Sequence, residues 1–120
     1  MDDRANQVEA LQVAGEYCEK LIPGIQNVIV ELKGVRQPDT TEYLETIMKG
    51  INWLIQVYNG VRELLKEEAV AVDEDSVNAA IILLNNATKA DDDAKRAEAL
   101  GGGIFDFVKE MKQAAEKITA

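Results

Sequence analysis

At 120 residues the chain is long enough for a single domain, spanning 1–120, that buries roughly two thirds of its unfolded surface. A net charge of −9, with no basic cluster longer than Lys95-Arg96, argues against nucleic acid and against an anionic membrane surface, both of which require grouped cations. The absence of histidine removes the usual zinc sites, His-based triads and the Glu-x-x-His pattern of di-iron bundles.

The hydrophobic share of 47% beside 29% charged residues belongs to a folded globular chain, and two prolines favour an all-helical one. The opening "MDDRANQVEAL" has no apolar signal core, and no run approaches the ~18 apolar residues of a membrane span. Cys18 stands alone, so no internal disulfide forms and the expected address is the cytoplasm. Cys18 lies on an apolar helical face and reads as a small core residue rather than a reactive thiol.

The first predicted helix carries Val8, Leu11, Gly15, Cys18, Ile22, Ile25, Ile29 and Leu32 at alternating intervals of three and four, which keeps them on one face. Pro23 falls inside this seam without disturbing its phase, so a single helix kinked at Pro23 is expected. In "ELKGVRQPD", Gly34 suits a left-handed C-terminal residue, Val35 can pack back, and Pro38 stops the helix.

Asp39 and Glu42 suit a capping box that opens the second helix. Its seam runs Leu44, Ile47, Ile51, Leu54, Tyr58, Val61 and Leu65. On a wheel of about 100° per residue the apolar surface is much wider than this seam, with Met48 and Ile55 on one edge and Trp53, Val57 and Leu64 on the other. Trp53 reads either as ordinary packing against a neighbour or as an interface anchor, tryptophan being enriched at hot spots. The interface set would be Trp53, Val57, Gly60 and Leu64, with Gly60 letting backbones approach.

Asp73 or Asp75 caps a third helix whose run "AAIILLNN" is apolar on most sides, which predicts a central position. The aspartates of "KADDD" open the fourth helix at its positive end. Its seam is Ala94, Ala97, Gly101, Ile104, Val108, Met111, Ala115 and Ile118. Gly101, Gly102 and Gly103 lie within it and cost a helix roughly 2–3 kcal/mol relative to alanines. A phosphate-binding loop would need Lys-Ser or Lys-Thr after the glycines, or a strand before them; neither is present. Gly101 suits close packing, whereas Gly102 points to solvent. One helix with a weak point is therefore expected, and a clean break is the alternative.

The acidic runs at Asp73–Asp75 and Asp91–Asp93 fail calcium-loop spacing, since Asn78 or Arg96 would stand where glycine is required. No carboxylate pair falls within an apolar stripe, where burial would tune it for acid–base work. No enzyme, cofactor or metal is expected.

The segments "YLETIMKGINWLIQVYNGVRELL" and "DDDAKRAEALGGGIFDFVKEM" resemble a group of small helical proteins from Gram-positive bacteria with no agreed function, over residues 43 to 118. In architecture the chain is also similar to helical export chaperones of the bacterial motility apparatus. Neither resemblance implies catalytic residues. The fold expected is an antiparallel up-down four-helix bundle. The function expected is a cytoplasmic interaction module, an adaptor or chaperone-like protein that pairs with itself as a homodimer or with a partner's amphipathic helix. The alternative is a sensor or carrier whose bundle interior accepts a small apolar ligand.

Overall fold

The seams predict helices, and helices are what the chain forms. A computed structural model describes residues 3–119, and no strand occurs among them; Met1, Asp2 and Ala120 lie outside the described residues. The elements are α1 (Asp3–Lys33), α2 (Thr40–Gly60), α3 (Arg62–Glu67), α4 (Glu74–Lys89), α5 (Asp93–Ala99), a π-helical turn (Leu100–Ile104) and α6 (Phe105–Thr119).

α1 is the spine. At 1.5 Å per residue its 31 residues extend about 46 Å, close to the 48 Å long axis of the molecule. Its seam is buried at Leu11, Gly15, Cys18, Ile25 and Leu32, and it packs against α2, α3, α5, the π turn and α6. Pro23 lies within α1 on an exposed position. Gly24 faces Ile47 and Gly50 faces Tyr17, so α2 runs antiparallel to α1. Gly15 meets Ala115 and Ile29 reaches Gly101, so α6 runs antiparallel as well. Burial keeps the Cys18 thiol neutral, its pKa pushed up to about 12.

Two of the predicted helices are divided. The second stops at Gly60, and Val61 (φ −113°, ψ 11°) turns the chain into α3. Asn59-Gly60 is a weak helix pair, and the unbroken apolar phase hides the turn it makes. Every seam residue from Leu44 to Leu65 is nevertheless buried. The fourth is interrupted at Gly102, whose φ of −99° and ψ of −115° lie outside the helical range. The extra residue of the π turn shifts the seam, so Leu100 rather than Gly101 is buried, while Gly101 and Ala94 are exposed.

Other local expectations are overturned. Gly34 does not adopt positive φ, and Val35, 79% exposed, does not pack back. Asp39 makes no side-chain cap; the fully buried Thr40 orders this loop instead. Its hydroxyl accepts from the Gln37 N–H (2.7 Å) and donates to Glu31 (2.8 Å), tying the loop to the end of α1. Left-handed C-terminal residues do occur, at Ala69 and Asp91, where six-residue closures (Val70 N–H to Leu65, Asp92 N–H to Ala87) end α3 and α4. Asp73 and Asp92 cap α4 and α5 through Ser76 and Lys95 N–H. Finally, α4 is peripheral rather than central: it packs on α5 and the π turn, and leaves Ile82 60% and Leu83 38% exposed.

One end of the molecule is tied by charge. Arg36, from the α1–α2 loop, holds Asp93 at 2.6 and 2.9 Å. Arg96, its side chain only 8% exposed, donates to Asp93 at 2.7 Å and to Asp91 at 3.0 Å. The Arg36 hydrogen bond, opposed by partial burial and reinforced by Arg96, lowers the Asp93 pKa to about 2. An unfolded aspartate titrates near 3.9. The folded value being lower, the stabilisation is complete above about pH 4 and disappears as pH falls through about 2. Urea midpoints should therefore separate the natural protein from Asp93→Asn at pH 7, and the gap should close between about pH 4 and 2.

Candidate interaction surface

Among the described residues, exposed apolar side chains occur on two surfaces of interest, besides Val30 and Val35. The first runs along the groove between α1 and α2. Tyr17 lies directly over Gly50, where any Cβ would collide with the phenol ring. That seat turns Tyr17 toward Trp53, and the two rings meet edge to face with centroids 5.4 Å apart at 84°. Trp53 keeps 36% of its surface exposed. Val13, one turn before Tyr17 on the same face of α1, is 47% exposed. Extending the antiparallel register from Tyr17 and Trp53 sets Val13 level with Val57, which is partly buried.

The expected interface set is thus divided. Trp53 and Val57 share this surface, and the exposed Gly60, where a Cβ would meet nothing within 4 Å, continues it. Leu64 does not: at 1% exposure it belongs to the core of the monomer, because the turn at Val61 rotates α3 inward. Val13 and Tyr17 are additions that sequence reasoning missed. They lie off the α1 seam, and only the smallness of Gly50 could have signalled that a side chain crosses there.

The second surface lies where α4 meets the glycine turn. Gly103 carries the contact: a Cβ there would stand 2.9 Å from both the Ala80 Cβ and the Ser76 carbonyl oxygen. Gly101 would make only an ordinary contact with Ile29 at 3.5 Å, and Gly102 would meet nothing. The three glycines therefore do different things. Gly103 lets α4 approach, and Gly102 is where the helix bends. Ser76, Ala79, Ala80, Leu83, Gly102 and Gly103 line much of an open cleft of about 450 Å³.

Among the described residues no three His, Cys, Asp or Glu side chains converge as a metal site. Among the described residues no helix is long and apolar enough to cross a membrane. Fully buried Leu54, Ile104, Phe107 and Met111 occupy the interior, with Phe107 edge-on to Tyr58 at 5.7 Å.

These features define an all-helical protein that leaves apolar side chains exposed on its surface. The chain belongs to the family described as a domain of unknown function, DUF8042, which it matches over residues 9–114. That span holds both surfaces, from Val13 through Trp53 to the glycine turn. No curated protein and no solved structure matches the chain.

The glycine assignments separate two neighbours. Gly103→Ala forces α4 away from a backbone carbonyl and should lower stability by about 1–3 kcal/mol, the usual cost of overpacking. Gly102→Ala meets no neighbour, so any cost there comes from its non-helical backbone (φ −99°, ψ −115°) and not from α4. Thermal unfolding of Gly103→Ala checks the prediction.

Proposed function

We propose that the protein is a non-enzymatic interaction module of the cytoplasm, a helical adaptor or chaperone-like protein that forms a two-fold homodimer through the Trp53 edge of α2. On this reading its helices make an antiparallel up-down four-helix bundle, with the first bent at Pro23. The observation that carries the proposal is the chain's single tryptophan, 36% exposed beside Tyr17 and Val13 on a surface whose far end, Gly60, is bare. Exposed aromatic and aliphatic side chains gathered on one face favour association, and a two-fold contact is the commonest way to cover them. Tryptophan with tyrosine also supplies large rigid contact area at small entropic cost. The alternative, a carrier holding an apolar ligand inside the bundle, has less support, since large side chains already fill the interior.

Light scattering on the purified protein at tens of micromolar should report about twice the 13.2 kDa chain mass. Trp53→Asp should give a folded monomer, because the charge is buried only at the interface. A monomeric natural protein refutes the dimer. A Trp53→Asp variant that unfolds would mean that the ring serves the monomer through Tyr17.

A further inference from the structure

The turn at Val61 joins α2 to α3 beside the loop that enters α4, and a cleft of about 260 Å³ opens between them. We propose that this cleft binds a small monocarboxylate with an apolar body. Tyr58 from the last turn of α2 and Arg62 from the first of α3 share it, the guanidinium carbon lying over the phenol ring 5.1 Å from its centroid. The left-handed Ala69 (φ 54°) then reverses the chain, Val70 N–H closing on the Leu65 carbonyl at 2.9 Å. This brings Val70 and Val72, both packed on the core, into the lining beside buried Leu65. The volume is below the ~300 Å³ of the smallest drug-sized pockets, so the occupant is smaller still.

Unfilled donors select the chemistry. Glu74 engages only the Nη2 of Arg62; Nη1 has no acceptor among the described residues, and neither has Nε, which is closed off from water. A buried donor without a partner is uncommon and points to an acceptor supplied from outside the chain. The Arg62–Glu74 pair is exposed and contributes little, so the guanidinium is free to turn toward a second carboxylate. Lys66 also lines the cleft and forms no ion pair, and the Tyr58 hydroxyl makes no hydrogen bond, among the described residues. Burial, aided by the Glu74 charge, raises the Tyr58 pKa, so the hydroxyl keeps its proton and donates. Glu110, the other carboxylate near this ring, already accepts from the Asp73 N–H at 3.3 Å. The planar fork of an arginine matches the two oxygens of a carboxylate. Leu65, Val70 and Val72 call for an apolar body behind that group, and a second anionic group would meet Glu74.

Benzoate is the probe, benzamide its uncharged isostere, and inorganic phosphate the anion without an apolar body. Each is titrated at neutral pH and about 0.15 M salt, where surface charges beyond about 8 Å are screened. In proton–nitrogen correlation spectra of the full chain, benzoate should shift the Arg62 Nε–H and the Val70 to Val72 amides along a saturating curve. The Kd should be on the order of 1 mM, the scale of a ligand with so few atoms. Benzamide and phosphate should bind at least about tenfold more weakly, since each lacks half of what the cleft offers. Arg62→Gln should also weaken benzoate at least about tenfold. Lys66→Gln, which has no partner in the fold to lose, should weaken it about threefold with helical circular dichroism retained. Lys20→Gln with Lys49→Gln removes two charges from positions outside the cleft and should leave the Kd within about twofold. The assignment is overturned if benzoate does not saturate, or if benzamide or phosphate binds as tightly. It is overturned equally if the Lys20/Lys49 pair weakens binding as much as Lys66→Gln, because the attraction is then diffuse. Should Arg62→Gln fail to fold, Lys66→Gln decides.

Discussion

The approach of α1 to α6 at Gly15 and Ala115 is the contact on which the rest of the molecule depends. A Cβ on Gly15 would lie 2.5 Å from that of Ala115, so the two helices are as close as a glycine–alanine pair permits. Small residues extend the seam on both sides: Ala14 and Cys18 on α1, Ala114 on α6, all fully or nearly fully buried. Close-packed interiors transmit small volume changes, so this spacing fixes where every element laid on the pair can sit. α2 takes its register from Gly24 and Gly50, over which Ile47 and Tyr17 cross. α4 takes its position from Gly103, at the other end of the α6 arm.

The two exposed surfaces follow from that arrangement. Seating Tyr17 on Gly50 sets the partly buried phenol in the α1–α2 groove, with Trp53, about a third exposed, edge-on to it. α4 packs on α5 and the π turn and leaves Ile82 and Leu83 exposed. Both surfaces lie beside glycines that permit close crossings or bends. The charged cluster of Arg36, Asp93 and Arg96 holds the opposite constraint, linking the α1–α2 loop to the start of α5.

The seams were legible in the sequence because burial follows period. Leu11, Cys18, Ile25 and Leu32 on α1, and Leu44 through Leu65 on α2 and α3, are buried as their spacing requires. Backbone breaks were not, since a heptad phase continues smoothly through Asn59-Gly60 while the dihedral angles at Val61 do not. At the glycine turn the phase itself misled: one extra residue put Leu100 inside and Gly101 outside. The end of α1 looked like a glycine cap, but a buried threonine hydroxyl between Gln37 and Glu31 serves the loop, and no local pattern announces a bond nine residues long in sequence. An apolar run such as that of α4 cannot distinguish a helix surrounded by protein from one with a face left open. Arg96 escaped notice for a similar reason: its burial depends on Asp91 and Asp93, whose positions only the turn into α5 brings to it.

Native-state hydrogen exchange tests the central place of the α1–α6 contact most directly. Amides facing that seam, around Gly15 to Cys18 and Met111 to Ala115, should exchange only through global unfolding, with an opening free energy equal to the full stability of the protein. Those of α4, held on one side by α5 and the π turn, should open at a distinctly lower free energy. Equal protection of α4 and the seam, or earlier exchange from α1 and α6, would contradict the account.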